Sequence, residues 1–318
     1  EHPIIQSFVL SGCSAVTYET AALRSSLISM IRVLSSFQKY VPPVVVNRVM
    51  NRGAEAKLGL EHEYCTVFFL DIRDFTKISE TVPSDCLAEI MNEALEELSD
   101  ILLSKDAVID KYMGDCIMCF WPVGENQEEK ACEAALLCKQ ALARLSAKWR
   151  KRDLPALECR IGIHSGDVLI GNYGSTKRFN FTVIGDVVNT SSRVEELNKY
   201  YGSTIMITEN VLRNVQNGLF VTRRLENIQV KGKDNSIIVH ELVEKTHAQS
   251  ASELMAANLY NKAIEAYTSG DFSEALSIFR SIPNYERDPV IAGKMRQCTD
   301  YQTISRGSWN GVLRMEFK

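Results

Sequence analysis

The features missing from this sequence narrow its function first. No run of about 20 apolar residues is present, so no helix is predicted to span a bilayer, and no signal peptide is recognisable. Positive charge is not in excess: 36 Lys and Arg stand against 40 Asp and Glu, a formal net charge of −4. A duplex-binding surface needs a basic surplus, so nucleic acid is not an expected partner. The local basic stretch Lys148, Arg150, Lys151 and Arg152 reads as a solvated helix end. Neither glycine-rich phosphate signature occurs, so the common nucleotide folds built on them are not indicated. A disulfide framework is missing too. The nine cysteines are odd in number and unpatterned, as expected for free thiols in a reducing compartment, which points to the cytoplasm. Cys116 and Cys119 form a C-x-x-C within KYMGDCIMCFW, but that segment reads as a buried strand. An offset of three points the two thiols to opposite faces, and no second pair completes a zinc site.

The remaining composition is that of an ordinary globular protein, 45% hydrophobic and 24% charged over 318 residues. That length predicts one large domain with appendages. The chain opens EHPIIQ without an initiator Met, as expected of a piece of a longer protein whose sensor or membrane region lies upstream.

From Glu19 to Tyr40 the pattern is helical, with Leu23, Leu27, Met30, Leu34 and Phe37 at alternating spacings of four and three. Such a seam suits either a partner helix in a short coiled coil or packing on the helix's own domain. Val41-Pro42-Pro43 stops it. Tyr64–Ile72 is a continuous aromatic and β-branched run, hence a buried strand. Leu87–Leu103 predicts a long amphipathic helix, and Ala107–Trp121 a hairpin turning at Met113-Gly114-Asp115. Glu128–Trp149 is a second long helix, with Ala131, Ala135, Cys138, Leu142, Leu145 and Trp149 on one face. Cys159–Ile170 reads as two strands around a turn at Ser165-Gly166-Asp167. A strand at Phe179–Ile184, a helix from Asp186 to about Tyr200, and strands near Thr204–Ile207, Phe220–Arg224 and Ile237–Leu242 complete the series. This order predicts an α+β fold: an antiparallel-rich sheet with helices on one face. After about Lys245 only helix is expected. There, Ala263, Tyr267, Gly270-Asp271-Phe272, Ala275, Leu276 and Phe279 have the spacing of one tetratricopeptide-like helix pair. One such repeat cannot bury its own face, so it must dock somewhere or dimerise.

Several residues stand out chemically. Asp71 ends a buried strand and Asp115 follows Gly114 in a hairpin turn, both among apolar neighbours. Carboxylates at the ends of adjacent strands suit divalent cations, although a turn Asp after Gly is more often structural. Asn189 and Arg193, four apart on a helix, share one face and suit a hydroxyl and a phosphoryl group; a local hydrogen bond on an exposed face is the plainer reading. Arg160 and the Lys231-Gly232-Lys233 turn offer cations, or simply solvated charges.

Together the strings VFFLDIRDFT, KYMGDCIMCF, RIGIHSGDVLIGNYGS, FTVIGDVVNTSSRVEEL and VKGK resemble the class III adenylyl and guanylyl cyclase catalytic domain, in family order across roughly residues 61–244. The resemblance implies a ferredoxin-like, palm-like catalytic domain over 61–244; outside it, the residue patterns predict an N-terminal helical dimerisation and signal-relay segment over 1–60 and a helical, tetratricopeptide-like appendage over 245–318. It implies that Asp71 and Asp115, with the Ile72 carbonyl, hold two Mg2+ or Mn2+ ions. Phe75 and Thr76 match the turn that wraps the phosphates, and Arg160 and Lys231 the triphosphate-binding cations. Asn189 and Arg193 match the pair that stabilises the transition state. Lys111 and Thr182 match the purine readers. A Lys donor and a hydroxyl acceptor complement N1 and N6 of adenine, whereas guanine reverses both groups. The implied reaction is therefore ATP to 3′,5′-cyclic AMP and pyrophosphate, with a guanylyl or dual-specificity cyclase, or an inactive nucleotide-sensing scaffold, as the alternatives. Thr182 is a weaker discriminator than the Asp many adenylyl forms carry, because a hydroxyl also donates. Asp74 departs from the usual Gly. Family sites are shared between two chains, so a head-to-tail homodimer with composite sites is expected. One chain would give Asp71, Asp115 and Arg160. The other would give Lys111, Thr182, Asn189, Arg193 and Lys231.

Overall fold

A computed structural model describes residues 18–37, 57–230, 236–246, 251–302, 309 and 311–315. The described residues fall into two units, divided between Ala56 and Lys57. In the first, the described element is helix α1 (Tyr18–Phe37), along which Leu23, Leu27 and Met30 are exposed. The rest of the predicted seam, the side chains of Leu34 and Phe37 and the stop at 41–43, falls outside the described residues.

The second unit opens with β1 (Gly59–Ile72), the short α2 (Phe75–Thr81) and α3 (Ser84–Ser104). The hairpin β2 (Val108–Met113) and β3 (Cys116–Trp121) follows, then α4 (Gln127–Arg150). Strands β4 (Cys159–Ser175) and β5 (Arg178–Ile184) lead into α5 (Asp186–Tyr201). Next come β6 (Ile205–Thr208), α6 (Glu209–Leu212), β7 (Phe220–Val230) and β8 (Ser236–Lys245). Helices α7 (Ala251–Thr268), α8 (Phe272–Ser281) and α9 (Pro289–Tyr301) precede a last strand, β9 (Leu313–Met315).

Among the described residues nine strands form one sheet, ordered β2-β3-β1-β4-β6-β8-β7-β9, with β5 paired to β4. The first four, in the order β2-β3-β1-β4 and all antiparallel to their neighbours, are the expected ferredoxin-like core. The pairings β4–β6 and β7–β9 are parallel. Ile90, Met91, Ala94, Leu98 and Leu102 line the buried face of α3, and the six residues predicted for the face of α4 are all buried. They close over Phe68, Leu70, Ile72, Ile161 and Ile163 of the central strands.

Three expectations are corrected. The stretch after Lys245 is not helix only, since β9 joins the sheet beside β7. The segment Ser165-Gly166-Asp167 is not a turn: β4 runs unbroken and pairs with β1 from Gly59↔Asn172 to Ile72↔Cys159. Gly166 reads as a chain reversal, but its small size serves passage under a helix, since a Cβ there would lie 2.8 Å from Val187 Cγ2 of α5. The Ser165 hydroxyl is spent on Thr66 across the ladder, 2.9 Å away and fully buried. Helices also cover both faces of the sheet, not one. Ile161 and Ile163 enter the α3/α4 core, so Gly162 between them faces the other side, where α5 crosses it.

The C-terminal helices pack on the α5 face. Tyr260, Ala263, Tyr267, Phe272, Phe279 and Val290 join Val194, Tyr201, Met206, Leu225, Ile228 and Val239 in a second core. At its centre the Lys294 ammonium, wholly buried, lies 2.8 Å from Glu226 Oε2, which also accepts from the Tyr267 hydroxyl at 2.9 Å. The ammonium stands 4.2 Å from the Tyr267 ring centroid and 5.1 Å from that of Tyr201. The described residues contain no helix long and apolar enough to cross a membrane. Removing one partner of a buried ion pair strands the other charge, at a cost of about 3–5 kcal/mol. Lys294→Met is therefore expected to lose about that much stability in urea unfolding, and Lys294→Met with Glu226→Gln to regain part of it.

Candidate active site

Strand alternation makes the first cluster. Leu70 and Ile72 enter the α3/α4 core, so Asp71 between them faces the α5 side. Arg160 is its partner in the β1–β4 register and faces the same way. Asp115, in the β2–β3 turn, brings its carboxyl against that of Asp71. Burial and the Asp115 charge push the Asp71 carboxyl up to about 6, against the opposing pull of Arg160 and the Ile72 backbone N–H. Two converging carboxylates with a single nearby guanidinium leave a surplus of negative charge. Oxygen donors of this kind fit a hard divalent cation. Among the described residues no third His, Cys, Asp or Glu completes a protein-only cage, so Asp71, Asp115 and the Ile72 carbonyl would hold cations whose remaining ligands come from a bound phosphate or water.

The sequence departure at 74 sits here. Asp74 precedes α2 in the left-handed region at φ 56°, a conformation that favours glycine and that Asp tolerates better than most residues. Its carboxylate stands 3.8 Å from both Arg160 Nη2 and Arg73 Nε. Phe75 packs half-buried on the α3/α4 core, and Thr76 is exposed in the first turn of α2.

A second cluster holds the expected purine readers. The β2–β3 pairing slips between Ile109 and Lys111, leaving Asp110 as the extra residue of a β-bulge. Adjacent strand residues normally face opposite ways; the bulge brings Asp110 and Lys111 together, Nζ lying 3.1 Å from Asp110 Oδ2. Thr182, buried on β5, donates its hydroxyl to the same Oδ2 at 3.1 Å. Lys111 stays half-exposed while the Asp110 side chain is 1% exposed.

Asn189 and Arg193 lie one turn apart on α5, away from the face that carries Val187, Thr190, Ser191, Val194 and Asn198 onto the sheet; Asn189 is exposed and Arg193 half-buried. Lys231 lies outside the described residues. Sequence reasoning passed over two groups. Asp110 is a carboxylate beside Lys111, but only the bulge turns it toward Thr182. Glu195 is buried on α5 behind Asp71, and its place two residues after Arg193 gave no signal of that burial. Burial, reinforced by Asp71 and opposed by Arg160, pushes its carboxyl up to about 8.

The family model for the adenylate and guanylate cyclase catalytic domain matches residues 60–243. An adenylate cyclase of Anabaena cylindrica is 35% identical over 72% of this chain and 47% of its own length. Adenylate cyclase 1 of Rhizobium meliloti is 27% identical over 74% of this chain and 36% of its own. The chain thus spans less than half the length of these curated relatives. Among solved structures, the adenylyl cyclase CyaB from P. aeruginosa superposes with a TM-score of 0.55 at 29% identity, covering 61% of this chain and all of that one.

Glu195 yields a pH prediction. Its folded value, about 8, lies above the 4.5 of an ordinary Glu, so the folded state keeps the proton longer. The stability linked to it is complete below the unfolded value and is lost as pH rises through about 8. Glu195→Gln should therefore raise the unfolding midpoint of the metal-free protein at about pH 9 and leave it almost unchanged at about pH 5. Thermal melts at the two pH values check this, and equal shifts would contradict it.

Proposed function

This chain belongs to the family of adenylate and guanylate cyclase catalytic domains, and on that premise we propose that it converts ATP to 3′,5′-cyclic AMP and pyrophosphate. The observation that carries the reading is the convergence of Asp71 and Asp115 beside Arg160, on a chain that also holds Lys111 and Thr182 together through Asp110. Two divalent cations, Mg2+ or Mn2+, bound at Asp71, Asp115 and the Ile72 carbonyl, would ease loss of the ribose 3′-hydroxyl proton and draw charge from the α-phosphate. The 3′-oxygen attacks the α-phosphorus in line, the bond to the β-phosphate oxygen breaks, and pyrophosphate leaves. Arg160 and Lys231 hold the triphosphate, and Phe75 and Thr76 wrap it. Arg193 steadies the charge that develops on the phosphoryl group and Asn189 orients the ribose. Lys111 donates to adenine N1 and Thr182 accepts from N6.

Each site is composite in this reading. One protomer supplies the Asp71 cluster, and its head-to-tail partner supplies the purine pair with Asn189, Arg193 and Lys231. The exposed seam of α1 at Leu23, Leu27 and Met30 supports a role for residues 1–60 in clamping that dimer and relaying a signal from upstream, while 245–318 serves as an accessory helical element. The eight cysteines among the described residues are all free, which supports a cytoplasmic setting.

Purified protein incubated with ATP or GTP, each with Mg2+ and with Mn2+, is expected to give cyclic AMP from ATP and little cyclic GMP. Asp115→Asn should lower the rate about a hundredfold or more, because a cation ligand is lost. Preferred cyclic GMP would make it a guanylate cyclase; no product from a verified dimer would leave a nucleotide-sensing scaffold. Deleting residues 1–58 should raise the dimer dissociation constant in sedimentation, and an unchanged constant would remove the role given to α1.

A further inference from the structure

We infer that Asp110 is a positioning residue that turns the Thr182 hydroxyl into an obligatory hydrogen-bond acceptor, and that it thereby sets adenine over guanine. The inference rests on the reading of Lys111 and Thr182 as the purine pair. A hydroxyl is ambivalent: it has one proton to give and two lone pairs to accept with. Left free, Thr182 would accept from the adenine amino group or donate to the guanine carbonyl with equal ease. The structure removes that freedom. Thr182 Oγ1 lies 3.1 Å from Asp110 Oδ2, and a carboxylate oxygen accepts only, so the Thr182 proton is committed inward. What remains for a ligand is lone pairs, the polarity a carboxylate would present.

The same oxygen anchors Lys111. Its ammonium lies 3.1 Å from Asp110 Oδ2, which uses one of its three N–H groups and leaves the others to donate outward. One buried carboxylate therefore fixes a donor and an acceptor side by side. Adenine offers an acceptor at N1 next to a donor at N6 and matches both. Guanine offers a donor at N1 next to an acceptor at O6 and meets two mismatches. Mismatched buried polar groups discriminate strongly because each loses its water without gaining a partner. The bulge at Asp110 is what makes this possible, since a regular strand would send Asp110 and Lys111 to opposite faces.

The test is equilibrium binding of 3′-deoxy-ATP and 3′-deoxy-GTP, which lack the attacking hydroxyl, to the full chain with Mn2+. Wild type, Asp110→Asn, Thr182→Val and the double variant are compared, and thermal melts confirm folding. The Asn amide can donate to Thr182 and free its proton, so Asp110→Asn should cut the adenine-over-guanine affinity ratio about tenfold, chiefly by improving guanine binding. In the Thr182→Val background the same change should move the ratio less than about twofold, as coupling through one hydroxyl requires. A ratio unmoved by Asp110→Asn, an equal loss for both analogues, or an effect as large in the Thr182→Val background as in wild type would overturn the inference. So would a wild type that binds both analogues alike or neither. Cyclic product from ATP is measured separately, so the proposed reaction stands or falls without reference to this result.

Discussion

The crossing of α5 over β4 is the constraint on which the site depends. At Gly162 the helix backbone comes so close that a Cβ would overlap the main chain of Glu195 and the Ser191 carbonyl. Two side chains of the helix then stitch it to the sheet. The Ser191 hydroxyl shares its one proton between the carbonyls of Val67 and Gly162, at 2.8 and 3.1 Å, and the Asn198 amide donates to the Ile161 carbonyl at 2.9 Å. Both groups are buried, so these bonds satisfy polar atoms that would otherwise be costly in a core. With the helix seated, everything else on that side of the sheet follows. Its inner face carries Glu195 toward Asp71 and Arg160, and its outer face presents Asn189 and Arg193.

The carboxylates gathered behind that helix work against stability. Asp71, Asp115 and Glu195 share one region with Arg160 as the balancing cation, and burial raises Asp71 and Glu195 well above their usual range. Such crowding suits a ligand that brings positive charge, as the proposed cations would. Asp74 adds to it, taking a left-handed backbone to reach Arg160. In the second core the buried charges are paired. Lys294, Glu226 and Tyr267 form a closed network, and Arg223 bonds both Glu241 and Asp288 where the C-terminal helices meet the sheet. That contrast separates the region poised for chemistry from the region that holds the second core together.

Much of the fold was legible because side-chain period reports burial directly. The α4 face, the β1 run and the β2–β3 hairpin needed only local pattern, and the ferredoxin-like core was implied by the family resemblance. The unbroken β4 was not legible. Ser165-Gly166-Asp167 has the composition of a turn, and only the helix lying across it explains why those residues are small. The second helical layer was hidden for the same reason, since the glycine that admits α5 carries no hydrophobic signal.

The site divides along the same line. Sequence alone determined which candidate groups are present: Asp71, Asp115, Arg160, Asn189, Arg193, Lys111 and Thr182 sit in ordered strings, and their proposed roles follow from the resemblance of those strings to the cyclase family. Tertiary structure alone decided how they are poised. The hydrogen-bond polarity of Thr182 comes from a bulge that rotates Asp110 by one residue, and the raised Asp71 and Glu195 carboxyls come from burial beneath α5. Residue type is written in the chain, but the proton a hydroxyl gives away and the water a carboxylate loses depend on neighbours that only folding brings near.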